Sequence, residues 1–223
     1  MDVRRAVRLL FLLLACLASF AWPEPAGLSF PAEVLARAER KYGAAARGRL
    51  LDWQRLVADA RGKAEPEKLA LVNDFFNRVP FLSDAEHWGR EDYWATPAEM
   101  LASFGGDCED FSIAKYFTLV ALGVPIDKLK ITYVRAKMLS PGNQAHMVLT
   151  YYATPAAIPA VLDNLVPEIR PASARPDLVP VYSFNGDGLW LARERGDGKA
   201  VAGGSGNIGF WRELKARLGK EFE

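Results

Sequence analysis

Cys108 stands in the stretch GGDCEDFSIAKYF, directly after Gly105-Gly106 and between the carboxylates Asp107 and Glu109. The paired glycines permit a tight backbone turn, and the residues that follow have the composition of a helix. Asp107 is then placed as a helix cap, and Cys108 falls in the first turn. Unpaired backbone N–H groups and the helix dipole favour a thiolate at that position. The same N–H groups can hold a developing oxyanion. A small residue packed at a helix start is the bland alternative, and the polar flank on both sides speaks against it.

A cysteine nucleophile needs a base, and the chain contains two histidines. His146 opens the alternating segment HMVLTYY, where a rigid strand would fix its imidazole; His87 lies in a polar stretch without periodicity. Rigid elements hold reacting groups better than loops, so His146 is the preferred base. Taken alone, it would read as a satisfied core or edge histidine. Asp163 is an isolated acid in the apolar segment AVLDNL. Buried acids are disfavoured unless paired, and an imidazole N–H is a fitting partner, which would fix the histidine tautomer. A strand-end or turn acid is the alternative for Asp163.

The elements that must position these groups can be read from periodicity. Val34, Leu35, Ala38, Tyr42, Leu50, Trp53, Leu56 and Val57 recur at helical spacing, interrupted near Gly43 and Gly48, and predict two helices. Residues 66–79 predict a third, with Leu69, Val72, Phe75 and Phe76 on one face. Residues 80–96 read as an aromatic-rich loop, whose Trp88, Tyr93 and Trp94 either pack or line a cleft. Thr96, Pro97 and Glu99 form a capping-box signature for a short helix. A helix from about Cys108 to Leu122 ends at Gly123. After it come short, β-branched or aromatic runs at 129–136, 145–152, 160–165, 179–185 and 188–193, and then a terminal helix from Phe210. Helices first and an antiparallel sheet second make an α+β fold.

The chain has 223 residues, half of them hydrophobic, with a formal net charge of +1. Such a charge gives no field to argue for nucleic acid. Arg4, Arg5 and Arg8 precede the apolar run LLFLLLACLASFA, which closes on Ser19-Phe20-Ala21. This reads as a cleaved secretory signal over residues 1–21, too short to span a bilayer comfortably. An uncleaved anchor and lipidation at Cys16 are the alternatives. Cleavage after Ala21 would remove Arg4, Arg5, Arg8 and Asp2, taking the formal charge from +1 to −1. It would also remove Cys16, so that Cys108 has no disulfide partner and is either inert or kept for chemistry. The expected organisation is a signal over 1–21, an N-terminal helical segment over 22–64 and a core over 65–223.

The segments YWATPAEML, GGDCEDFSIAKYFTL, HMVLTYYATP, VLDNL and DLVPVYSFNGDGLWL, in this order, resemble the bacterial transglutaminase-like cysteine proteinases, most closely the LapG-type periplasmic proteases. The resemblance covers roughly residues 65–193. It implies a papain-like/transglutaminase-like core with the nucleophile at a helix N-terminus packed on an antiparallel sheet, and the triad Cys108, His146 and Asp163. It also implies a Ca²⁺ requirement served by Asp107 and Glu109, with Asp110 a further ligand. A hard cation with oxygen ligands would cancel the like-charge repulsion that two acids impose on a thiolate. Residue chemistry alone leaves those acids open between helix capping and metal binding. The family further implies a periplasmic endopeptidase that cuts the N-terminal region of a large surface adhesin, controlling biofilm release. Its inhibitory partner is a membrane-bound cyclic di-GMP receptor. An acyltransferase on the same triad and a non-enzymatic binding module are the rival readings. A cross-linked product would mark the first, and function surviving Cys108→Ala the second.

Overall fold

The computed structural model describes residues 28–137, 144–191 and 199–222. The expected signal segment with Cys16, and residues 138–143 before His146, lie outside the described residues. Helices α1 (Ala32–Tyr42) and α2 (Ala44–Ala60) meet at Gly43, whose φ of 88° suits a residue without a side chain. In α2, Ala46, Leu50, Trp53, Val57 and Ala60 are buried at alternating steps of four and three, one apolar stripe. Helix α3 (Glu65–Phe76) buries Leu69, Val72 and Phe76. The short α5 (Pro97–Ser103) starts with the expected capping box, in which Thr96 Oγ1 accepts from Glu99 N and Glu99 accepts from Thr96 N.

The stretch read as a loop over 80–96 contains a further turn of helix, α4 (Asp84–His87). Ser83 and Glu86 form its capping box, a signal too short to stand out without a periodic run behind it.

Helix α6 (Cys108–Ala121) is the axis of the molecule, with Asp110 through Tyr116, Thr118 and Leu119 buried. It packs against α3, α5 and the sheet strands β1 (Leu129–Ala136) and β2 (Gln144–Tyr151). Trp53 ties α2 to it through an indole N–H donated to Thr118 Oγ1 at 2.9 Å. The remaining strands are β3 (Ala160–Leu162), β4 (Arg170–Pro171), β5 (Leu178–Phe184) and β6 (Leu189–Leu191). The sheet order is β4-β3-β2-β1-β5-β6, and every pair is antiparallel. This is the α+β arrangement the element order predicts, with the nucleophile's helix packed on an antiparallel sheet as the resemblance implies.

One hydrophobic cluster runs from Leu35 to Phe222 and joins the helices to one face of the sheet. The other face carries a smaller cluster of Val134, Val148 and Val161, covered by Ala172 and Leu178. Helix α7 (Gly209–Arg217) buries Trp211, which stacks on Phe117. Among the described residues no helix is long and apolar enough to cross a membrane.

Candidate active site

Cys108 is the first residue of α6, reached through Gly105 and Gly106. A Cβ on Gly105 would lie 2.5 Å from Leu82 Cδ1 and 2.8 Å from His87 Cε1; one on Gly106 would lie 2.7 Å from Asp110 Oδ2. The glycines therefore serve close approach, and they bring the helix start against α4 on one side and its own first turn on the other. Phe104, just before them, is the one described non-glycine residue at positive φ, 60°, where it ends α5.

His146 lies on β2 and is 2 % exposed; Asp163 directly follows β3 and is 1 % exposed. The register of β2 on β3 brings Leu149 opposite Leu162, so the two residues meet at the end of that short pairing. His146 Nε2 and Asp163 Oδ1 are 2.9 Å apart. A carboxylate so bonded only accepts, so Nε2 carries a proton and Nδ1 is the ring nitrogen outside this bond. Met147, the next residue on β2, turns its backbone N–H to the Cys108 sulfur. The sheet thus delivers its histidine beside the helix that carries the thiol. His87 is engaged elsewhere: its Nε2 pairs with Ser103 Oγ at 2.8 Å and its ring meets Trp88 edge-on.

Asp163 is fully partnered. Oδ1 also accepts from Leu165 N at 3.0 Å, and Oδ2 accepts from Arg175 Nη2 at 2.8 Å. Burial alone would push this carboxyl up, but the hydrogen bond and charge of His146, the Leu165 N–H and Arg175 together hold it at about 2. Arg175 is the partner the sequence reading missed, because an arginine in a Pro-bounded connector carries no periodic signal.

The other side of the thiol is different. Asp107, Glu109 and Asp110 are joined by two acids from the preceding segment, Asp84 and Asp92. The ligand atoms of Asp84, Asp92 and Glu109 lie within 4.8 Å of one another, as do those of Asp84, Asp107 and Asp110. Asp84 and Asp92 sat in a stretch with no pattern to mark them. Asp107 occupies the N-cap position, yet its side chain caps nothing, contrary to the sequence expectation. Its carboxylate turns instead into the acid cluster.

Asp110 is fully buried, with Oδ1 accepting from Ala95 N at 2.7 Å. Oδ2 of Asp110, Oδ1 of Asp84 and Oδ1 of Asp107 are buried with no hydrogen-bond partner among the described residues. Burial and the neighbouring Glu109 charge push Asp84 to about 6 and Asp107, with Asp110 adding to it, to about 10, while Asp110 itself is driven well above the carboxylate range. Orphaned carboxylate oxygens converging from two segments have the donor chemistry and crowding that suit a hard divalent cation.

The Cys108 thiol donates to Glu109 Oε2 at 3.0 Å. Burial first, and then the Glu109 charge, raise its pKa well above the ordinary thiol value. The aromatic residues nearby mainly pack: Trp94 stacks on Phe184 and Phe210, and Tyr93 donates its hydroxyl to Glu99. The Trp94 indole N–H also donates to Asp92, which ties this packing to the acid cluster.

A family profile described as bacterial transglutaminase-like cysteine proteinase, BTLCP, matches residues 54–184. Against curated proteins the chain finds no match. Among solved structures it is similar to LapG of Legionella pneumophila after EGTA treatment, at 44 % identity over 86 % of this chain and all of that one, TM-score 0.72. It is similar to the calcium-bound form of the same LapG at 44 % identity, covering 83 % of this chain and 98 % of that one, TM-score 0.70.

Proposed function

The chain belongs to the bacterial transglutaminase-like cysteine proteinases, and from that premise we propose that it is a Ca²⁺-dependent periplasmic endopeptidase working through Cys108, His146 and Asp163. The observation that carries the reading is the buried His146–Asp163 hydrogen bond on the strand whose next N–H faces the Cys108 sulfur.

Each group has one task. His146 Nδ1 takes the thiol proton, and the sulfur attacks the carbonyl carbon of the scissile amide. The oxyanion that forms is met by N–H groups at the start of α6. As the C–N bond breaks, the imidazolium returns its proton to the leaving amine, leaving a thioester on Cys108. His146 then takes a proton from water, whose oxygen attacks the thioester, and the carboxylic acid departs as the thiol is restored. Asp163 keeps the imidazole in the productive tautomer throughout.

Asp84, Asp92, Asp107, Glu109 and Asp110 are the residues that would hold Ca²⁺, which the related LapG binds in one of its structures. When bound, the ion supplies positive charge that offsets the carboxylates around the thiol. The proposed substrate is the N-terminal region of a large surface adhesin, whose cutting releases biofilm. The proposed inhibitory partner is a membrane-bound cyclic di-GMP receptor, and the chain is proposed to reach the periplasm on a cleaved signal at 1–21. The support for these is similarity to the LapG-type proteases.

The test is proteolysis of an adhesin N-terminal fragment by the chain lacking residues 1–21. It is run with Ca²⁺, with EGTA, and with Cys108→Ala. Cleavage is expected only with intact Cys108 and Ca²⁺. Cutting that survives chelation overturns the metal requirement, and cutting by Cys108→Ala overturns the mechanism.

A further inference from the structure

Arg175 belongs to the 172–178 connection that covers the second face of the sheet, where Ala172 and Leu178 pack on Val134, Val148 and Val161. It is 5 % exposed. Nη2 donates to Asp163 Oδ2 at 2.8 Å and to Asp177 Oδ2 at 2.8 Å, and Nε donates to Asp177 Oδ1 at 3.1 Å. The guanidinium is thus gripped by Asp177 on one edge and reaches Asp163 with the other. The Asp177 carbonyl in turn accepts from Lys137 N at 2.9 Å, tying the connection to the end of β1. From behind, Asn77 Nδ2 donates to the Asp163 carbonyl at 2.9 Å.

Rotation of the carboxylate about Cβ–Cγ breaks whatever its oxygens accept, and a charged donor on Oδ2 adds a second hold to those of His146 and Leu165 on Oδ1. We propose that Arg175 is a positioning residue of the active site, fixing the Asp163 carboxylate plane so that Oδ1 stays in line with His146 Nε2. The proposal rests on the reading of His146 as the base. The guanidinium is planar and always charged, and its fork is pre-organised, so it suits this two-sided grip better than an ammonium. The other charged groups facing Asp163 are His146 from β2, Lys115 from α6 and Asp177 from Arg175's own connection. Of Arg175 and Lys115, only Arg175 makes a direct hydrogen bond to it among the described residues.

The experiment compares Arg175→Gln, Arg175→Lys and His146→Ala in the Ca²⁺-loaded chain. Two readouts are followed at neutral pH: the alkylation rate of Cys108 by iodoacetamide, and the downfield proton resonance of the carboxylate-bonded His146 N–H. Thermal stability is recorded alongside. Arg175→Gln is expected to slow alkylation roughly ten- to hundredfold and to lose the resonance, as a small misplacement of a reacting group does. Arg175→Lys should fall between it and the parent, with the resonance shifted but present.

A parental rate and resonance in Arg175→Gln, whatever its melting temperature, overturn the proposal while leaving the base in place if His146→Ala is slow. A parental rate in His146→Ala removes the base and the proposal with it. Should Arg175→Gln not fold, Arg175→Lys decides: its rate and resonance must both move, and if neither does the proposal falls.

Discussion

The carboxylate behind His146 and the acids around the thiol are opposites. Asp163 has a donor on each oxygen, and the partners outweigh its burial. Asp84 and Asp110 are as deeply placed or nearly so and Asp107 is half-buried, yet each leaves an oxygen without a hydrogen-bond partner among the described residues. Burial alone therefore does not decide what a carboxylate does here. The donors within reach decide it. One side of the site is complete as folded, and the other has the open oxygens that a cation would complete.

The largest predicted contrast is in activity. Asp163→Asn should lower kcat by about 10³–10⁴-fold, since an amide at that position favours the wrong imidazole tautomer. Steady-state cleavage of a peptide substrate checks this, and a loss under tenfold would break the assigned role.

In stability the two sides should part in sign. Asp163→Asn leaves Arg175 buried beside a neutral partner and should cost about 3–5 kcal/mol in urea unfolding. In EGTA, Asp110→Asn replaces a buried carboxyl that burial and Glu109 already push toward its neutral form, and should leave stability unchanged or raised. With Ca²⁺ at a hundred times its dissociation constant, the parent should gain about 2.7 kcal/mol and Asp110→Asn little of it. Equal losses for both variants in EGTA would erase the comparison.

The pH dependence should also run in opposite directions. For Asp163 the folded value, about 2, lies below the ordinary 3.8. Its contribution is present above the ordinary value and lost as pH falls through about 2. For Asp84 the folded value, about 6, lies above the same reference. The metal-free protein should therefore lose stability as pH rises between those two values, and Ca²⁺ should abolish that slope. Urea midpoints across pH 3–7 with and without Ca²⁺ measure this; the same slope in both conditions would separate the acid cluster from the metal.

A smaller effect is expected at Lys115. It is fully buried on α6, its Nζ has no hydrogen-bond partner among the described residues, and burial lowers its pKa to about 7 from 10.5. The folded state binds fewer protons than the unfolded one between those values, so this residue makes stability rise with pH there. Lys115→Met should gain on the order of 2–3 kcal/mol at pH 6 and flatten that slope. A loss of stability would mean that its charge serves Asp163 more than it costs.

What the sequence disclosed follows from scarcity and period. Cys108 and His146 stood out because thiols and imidazoles are few in this chain, and Asp163 because its neighbours are apolar. The helices α2, α3 and α6 and the long strands were readable from their spacing, and α5 from its capping box. Asp84, Asp92 and Arg175 were not readable. Each lies where neither helical nor alternating period applies, and acids and arginines are too common to be conspicuous. They gain meaning only when α4 folds back on the start of α6 and the 172–178 connection crosses the sheet.

Gly106 gives the acid cluster a mechanical dimension. The absence of one methyl group there is what lets Asp110 curl back beside the turn that presents the sulfur. The site thus has a built-in tolerance gauge. Gly106→Ala alters no charge and no ligand, but it moves the Asp110 carboxylate by the width it intrudes. Metal affinity and thiol placement would then shift together through shape alone, which offers a way to separate what calcium does by its charge from what it does by its fit.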